Sequence, residues 1–260
     1  VHTMTQLVLK NLSHTYVTKQ AATTAIENIN VTLHEGEFLS ILGPSGCGKT
    51  TLLSIISGLL TPTSGDVLLN GKNVKENNAH IGYMLQQDYL FPWLTIFENI
   101  TVGLSIMGKL TPETKQLALN LLEQMGLGEK KLHYPSQLSG GMRQRVALVR
   151  MLVTQPSLML LDEPFSALDY QTKLKLENLV FKTLKLEQKT ALLVTHDIGE
   201  AIAMSDTVVL LSARPGRIHQ IFPVPRELKA LLPFEARQHP VYTELFQIIW
   251  KELEQIEALE

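Results

Sequence analysis

Ile41-Leu42-Gly43-Pro44-Ser45-Gly46-Cys47-Gly48-Lys49-Thr50 carries a short apolar run through a glycine-rich turn into a helical pattern. From Gly43 onward it fits G-x-x-x-x-G-K-[ST], and it stands where that pattern needs to stand, between a strand and a helix. Glycine lets the backbone curl so that its N–H groups face phosphate oxygens. The helix N-terminus adds a partial positive charge. Lys49 is expected to reach the β- and γ-phosphates, and the Thr50 hydroxyl to ligate Mg²⁺. Gly43, Pro44, Ser45, Gly46, Cys47, Gly48 and Thr51 complete the expected nucleotide-binding set.

Around this loop, short apolar runs alternate with longer helical patterns. That alternation predicts a largely parallel sheet covered by helices. Residues 7–9, 26–33 and 37–42 read as strands around turns, so an antiparallel piece leads the domain. A helix is expected over about 49–57, and strands over 65–69 and 81–85. From Phe91 to Thr154 the pattern is helical. Thr95-Ile96-Phe97-Glu98 is a capping box, and Thr111-Pro112 opens another helix with proline at its first position. Beyond Thr154 strands at 158–161, 191–195 and 208–211 alternate with helices over 170–187 and from Asp197. The expected fold is therefore α/β, with a helical subdomain inserted at about 91–154.

A second element falls at the end of an apolar strand pattern, Leu158-Met159-Leu160-Leu161-Asp162-Glu163. Asp162 would hold Mg²⁺ and Glu163 would orient and deprotonate an attacking water. The third element is Leu138-Ser139-Gly140-Gly141-Met142-Arg143-Gln144-Arg145. On physical grounds Ser139 is a helix N-cap with exposed amides behind it, a ready anion site.

This third stretch resembles the signature of ATP-binding cassette (ABC) proteins. With it in view the resemblance spans about residues 7–221, and the chain looks like the ATPase subunit of an importer. The resemblance implies an ABC cassette: a mostly parallel RecA-like core with an antiparallel N-terminal β piece and a helical insert. It assigns Tyr16 to stacking on adenine. Gln86 falls in the loop that senses Mg²⁺ and the γ-phosphate, with Gln87 adjacent. Ser166-Ala167-Leu168-Asp169 matches the loop that crosses a dimer interface. His196, after Leu192-Leu193-Val194-Thr195, matches a switch histidine on the γ-phosphate. The resemblance further implies head-to-tail pairing of two copies, in which Ser139, Gly140 and Gly141 cover the ATP of the other chain. An ABC permease and an extracytoplasmic solute-binding protein would complete the transporter, with this chain on the cytoplasmic face of the membrane. Residues 86–95 and 211–218 resemble importers of nitrate, sulfonates, taurine and thiamin-precursor pyrimidines.

The alternatives fit less well. DNA-repair ATPases of the family carry long coiled coils, and translation factors carry two cassettes; neither occurs in this sequence. A phosphate-loop kinase or GTPase would lack the signature. Lys+Arg is 23 against Asp+Glu 25, which gives nucleic acid no bulk attraction.

Several features stay open at this level. Tyr89, Leu90, Phe91 and Trp93 read either as local core or as an apolar groove for a permease helix. From Arg214 onward prolines punctuate the chain. Residues 4–225 are expected as the ATPase domain and 226–260 as a short helical extension. Its last helix places Val241, Leu245, Ile248, Ile249 and Ile256 on one face, with Glu244, Glu252 and Glu257 away from it. It reads as docked on the core, with partner binding as the alternative. The histidines at 2, 14, 34, 80, 133, 219 and 239 show no zinc spacing and read as surface or cap residues. Cys47 is the only cysteine, so no intrachain disulfide forms and a reducing compartment is expected. Its modification is expected to block ATP by bulk. Residues 1–6 do not read as a signal peptide, and 52–60 is too short and broken to span a membrane.

Overall fold

The computed structural model describes residues 7–76, 81–186 and 188–258. The readings placed on residues 1–6, His80 and Glu187 lie outside the described residues.

Two sheets organise the chain. The first has the order β2 (Ala22–Leu33), β1 (Leu7–Val17), β4 (Ser64–Leu69), β5 (Lys72–Asn73), all antiparallel. The second runs β10 (Ile218–Pro223), β9 (Thr207–Leu211), β3 (Phe38–Leu42), β8 (Thr190–Thr195), β7 (Leu158–Asp162), β6 (Ile81–Met84). It is parallel from β9 to β6, with β10 antiparallel at its edge.

Every residue of β3, β7 and β8 is buried, which is why these strands read as continuous apolar runs rather than alternating ones. Their side chains still alternate between two layers, because successive residues of a strand point to opposite faces. Leu39, Ile41, Leu158, Leu160, Leu192 and Val194 face α1 (Lys49–Ile56) and the antiparallel sheet. Phe38, Met159, Leu161, Ala191 and Leu193 face the other layer, which holds α2 (Ile96–Ile106), α3 (Pro112–Gln124), α4 (Gly140–Leu152) and α5 (Tyr170–Leu186). Each fully buried Leu or Ile contributes roughly 1.5–3 kcal/mol relative to exposure. The capping box forms as expected: Glu98 N donates to Thr95 Oγ1 at 3.3 Å and Thr95 N to Glu98 Oε2 at 2.7 Å.

The C-terminal segment continues the core. After α6 (Ile198–Met204), α7 (Arg226–Lys229) and α8 (Pro233–Ala236), helix α9 (Pro240–Glu257) buries Leu245, Ile249 and Ile256 against Ile198, Ile202 and Val208. None of the described helices is long and apolar enough to cross a membrane.

Five sequence expectations need correction, the first being that residues 38–42, read with the leading antiparallel strands, pair in parallel with β8 and β9. β1 and β2 are longer than read, because polar Thr, Ser and Asn positions pair in the ladder without apolar alternation. β5 and β10 were not expected; β10 mixes His, Gln and Pro and sits at an edge, where Pro is tolerated. Ile248 is 51% exposed and does not share the buried face of α9, whereas Glu252 is half-buried and meets His219 Nε2 at 2.8 Å. His14 is buried beneath the Tyr16 ring rather than on the surface, with ring centroids 4.6 Å apart.

Candidate active site

Parallel register brings the carboxyl ends of β3, β8, β7 and β6 to one edge. Leu42 pairs with Thr195, Asp162 with Val194, and Met84 with Leu161. The residues just beyond those ends therefore converge, as ligand sites do in open parallel sheets. A cleft of about 880 Å³ opens there. It takes Ser45, Gly46, Gly48, Lys49, Thr50 and Thr51 from the phosphate loop, and Gln86, Glu163 and His196 from the other strand ends.

Only glycine fits the loop at Gly48. Its φ is +91°, and a Cβ would lie 2.5 Å from Ile26 Cγ2. Lys49 Nζ donates to the carbonyls of Gly43 at 2.7 Å and Pro44 at 2.8 Å, so Gly43 and Pro44 hold the lysine from beneath. Cys47 is 1% exposed and points into the protein, 3.7 Å from Lys49 Nζ. Burial pushes its thiol above the ordinary range, with Lys49 opposing. The thiol whose modification is expected to block ATP is thus buried and does not line the cleft.

The acidic pair divides by environment. Asp162 is buried, its Oδ2 has no hydrogen-bond partner, and burial raises its carboxyl despite a hydrogen bond from the Thr50 side chain. Glu163 turns into the cleft with φ +48°, a conformation that costs a non-glycine residue energy and persists only when its surroundings hold it. They do hold it. Glu163 N donates to Val194 O at 2.9 Å, and Gln144 Nε2 donates to its carbonyl at 3.2 Å. Gln86 Nε2 lies 3.2 Å from Oε2, and His196 Nδ1 lies 3.2 Å from Oε1. Gln87 lies in a different depression, beside Arg150 and Met151, so Gln86 is the glutamine that faces Glu163.

At the opposite end Tyr16 is 43% exposed, and its hydroxyl is 3.2 Å from Thr51 Oγ1. Arg214 and Pro215 also line the cleft. Neither was named as a site residue from sequence, where residues 211–218 counted only as a resemblance to a group of importers.

Ser139, Gly140 and Gly141 do not line this cleft. Ser139 caps α4, accepting from Met142 N at 3.3 Å, and Gly141 leaves room for Leu168 and the Ala167 carbonyl. Asp169 likewise stands outside, capping α5 through Thr172 N at 3.0 Å. Gln144, missed by sequence reading, links the two regions: it bonds both the Glu163 carbonyl and, at 3.1 Å, Ala167 N.

A partly buried charge network stands beside His196. Lys173 Nζ meets Asp197 Oδ2 at 2.6 Å and Glu200 Oε2 at 2.9 Å, and Arg237 pairs with both oxygens of Glu177. Burial pushes Glu200 up to about 7, with Lys173 opposing. The signal for these partners is long-range and leaves no local pattern.

Fold and cleft together define a phosphate-loop nucleotide-binding protein. Comparison with known proteins narrows the class. The family described as ABC transporter matches residues 26–166, and the chain belongs to it. An ABC transporter ATP-binding protein of Bacillus subtilis, YtlC, is 59% identical over 98% of both chains. The aliphatic sulfonates import ATP-binding protein SsuB of Bacillus licheniformis is 39% identical, covering 91% of this chain and 89% of its own. The taurine import ATP-binding protein TauB of Roseobacter denitrificans is 38% identical over 97% of both. A dimeric structure of a bacterial ABC transporter cassette superposes with a TM-score of 0.77 at 34% identity, covering 84% of this chain and 99% of that one. A dimeric post-hydrolysis cassette bound to ADP and Pi gives 0.75 at 33%. The fold is an ABC cassette, and its enzymatic class is an ATPase.

Proposed function

We propose that this chain is the ATP-hydrolysing subunit of a solute importer, acting as a homodimer on the cytoplasmic face of a membrane. The observation that carries the catalytic part is Glu163, held across the cleft by Gln86 and His196 and facing the phosphate loop. Glu163 takes a proton from water as the water oxygen bonds to the γ-phosphorus and the bond to ADP breaks. His196 and Gln86 fix the carboxylate, and Lys49 and the loop amides hold the phosphates. The unpartnered Asp162 oxygen and the Thr50 hydroxyl fit a hard divalent cation, with Gln86 as a third donor. Bound there, Mg²⁺ would supply charge neutralisation at the phosphates.

Exposed Ser139, Gly140 and Asp169, standing off their own cleft, support the reading that they reach the ATP site of a second copy. Residues 4–225, with the insert at about 91–154, would be the ATPase domain and 226–260 the extension. The named relatives put sulfonates and taurine ahead of nitrate or pyrimidine precursors as solute. A solute-binding protein would deliver that solute to the permease. Soluble repair or translation ATPases find no support in these relatives.

An apolar patch supports the permease contact. Tyr89 is 58% exposed, Phe91 37% and Trp93 71%, which corrects the local-core reading for all but the buried Leu90. Arg150 clamps the carbonyls of Asp88 and Tyr89 at 2.7 and 2.9 Å, and Arg143 Nε bonds the Asp88 carboxylate at 3.0 Å. These bonds tie the patch to α4. The test is gentle detergent extraction of the tagged chain from its native cells, with mass spectrometry of what co-purifies. Wild type brings down a multi-span membrane protein, and Trp93→Ala brings down far less while binding ATP normally. Undiminished capture by the variant removes Trp93 from the contact; ribosomal or DNA-bound partners in place of a permease refute the importer reading.

A further inference from the structure

The loop from Arg214 to Arg217 is fastened just beyond its tip. Gly216 N donates to Ala25 O and Gly216 O accepts from Glu27 N, each at 2.9 Å, and Arg217 pairs with the Glu27 carboxylate. Gly216 also lies directly under the phosphate loop: a Cβ there would sit 2.0 Å from the Cys47 carbonyl oxygen. Any larger residue would push the two loops apart. At the tip Arg214 adopts φ +39°, a left-handed conformation that an arginine rarely takes unless its surroundings impose it. The loop is thus built rigidly against the phosphate loop, and it presents a cation.

That cation faces the cleft. Among the described residues the Arg214 side chain has no hydrogen bond and no ion pair, whereas Arg217 bonds the Glu27 carboxylate through Nε and Nη2. An unpaired guanidinium in a cleft that receives a polyphosphate has an obvious counter-charge. Its planar fork of donors suits phosphate oxygens and vicinal hydroxyls.

Sheet order says which part of the nucleotide it meets. Gln86, Glu163 and His196 follow β6, β7 and β8, all on one side of β3, the strand that feeds the phosphate loop. Arg214 follows β9, on the other side of β3. The wall beside it is residues 22–25 of β2, and Thr23 of that wall pairs with Tyr16. Arg214 therefore stands away from the hydrolytic end.

Resting on the reading of this cleft as the ATP site, we infer that Arg214 is a nucleotide ligand that grips the ribose and α-phosphate. It anchors the part of the molecule shared by ATP and ADP. It takes no part in breaking the γ-phosphate bond.

The experiment is equilibrium titration of ATP and of ADP into the full chain, for wild type, Arg214→Ala, Arg214→Lys and Lys49→Ala, alongside steady-state hydrolysis. Loss of a charge-assisted hydrogen bond of this kind is expected to weaken binding on the order of tenfold. Arg214→Ala should weaken ATP and ADP alike, with the loss falling on KM rather than kcat. Arg214→Lys keeps the charge without the fork and should recover part of the affinity, which also controls for loop damage. Unchanged affinity for both nucleotides in Arg214→Ala, with binding lost in Lys49→Ala, overturns the assignment of Arg214 and leaves the cleft standing. A loss confined to ATP also overturns it, since the contact would then be to the γ-phosphate. Unchanged binding in Lys49→Ala as well would sink the ATP-cleft reading itself.

Discussion

Glu163→Gln binds ATP as wild type does and loses turnover by roughly 10²–10⁴-fold, the range a positioned general base supplies. The side chain keeps its length and planarity. Its amide oxygen still accepts one hydrogen bond, from Gln86 or His196, so the local geometry survives. What disappears is the capacity to take a proton from water. The strained φ of +48° is set by backbone bonds to Val194 and Gln144, neither of which the substitution touches. ATP binding and single-turnover phosphate release, measured side by side, check this. Because the variant binds ATP without consuming it, an ATP-dependent dimer should also accumulate on gel filtration. Turnover close to wild type would place the base on another group.

The second large effect is on folding rather than chemistry. Glu177 is fully buried, and both of its oxygens are taken by Arg237, with Lys173 4.0 Å away. Arg237→Ala strands that carboxylate. Breaking a buried pair from one side costs about 3–5 kcal/mol, because the remaining charge stays desolvated. Burial already raises Glu177 above its ordinary value of 4.5, with Arg237 opposing, so removing Arg237 raises it further. A carboxyl raised in the folded chain contributes its full stability below its unfolded pKa and loses it as pH climbs through the folded value. The deficit of Arg237→Ala should therefore be smaller at about pH 5 than at about pH 8. Urea unfolding of both proteins at the two pH values gives the comparison. A deficit that is small and pH-independent would mean that Glu177 finds water or another partner.

Residue patterns carried the site unevenly. The phosphate loop and the Asp162-Glu163 pair were legible because each is local: a few consecutive residues set both the backbone path and the chemistry. The core strands were legible because burial on both faces leaves an unbroken apolar run. The functions of Tyr16, Gln86 and His196 came from family resemblance, since a lone Tyr, Gln or His has no distinctive spacing. Gln144, Lys173 and Arg237 act through partners at long sequence separation, as in the contact from Arg237 to Glu177, 60 residues apart. Nothing in their neighbourhoods announces this. Ile248 misled for a related reason. Helical spacing marks an apolar stripe, but the stripe on α9 is wider than the surface it covers, and Ile248 and Trp250 remain about half exposed. Arg214 stood only within a stretch that resembles a group of importers until the sheet order placed it beside the phosphate loop.

The central proposal is a cleft that hydrolyses ATP and is completed by a second copy of the chain. ATP hydrolysis by the purified protein, measured as specific activity over a wide range of protein concentration, reaches that claim most directly. Rising specific activity at saturating ATP, levelling off once the chains are paired, is the predicted result. Hydrolysis at a constant specific activity down to the most dilute sample, with the chain monomeric throughout, would contradict it.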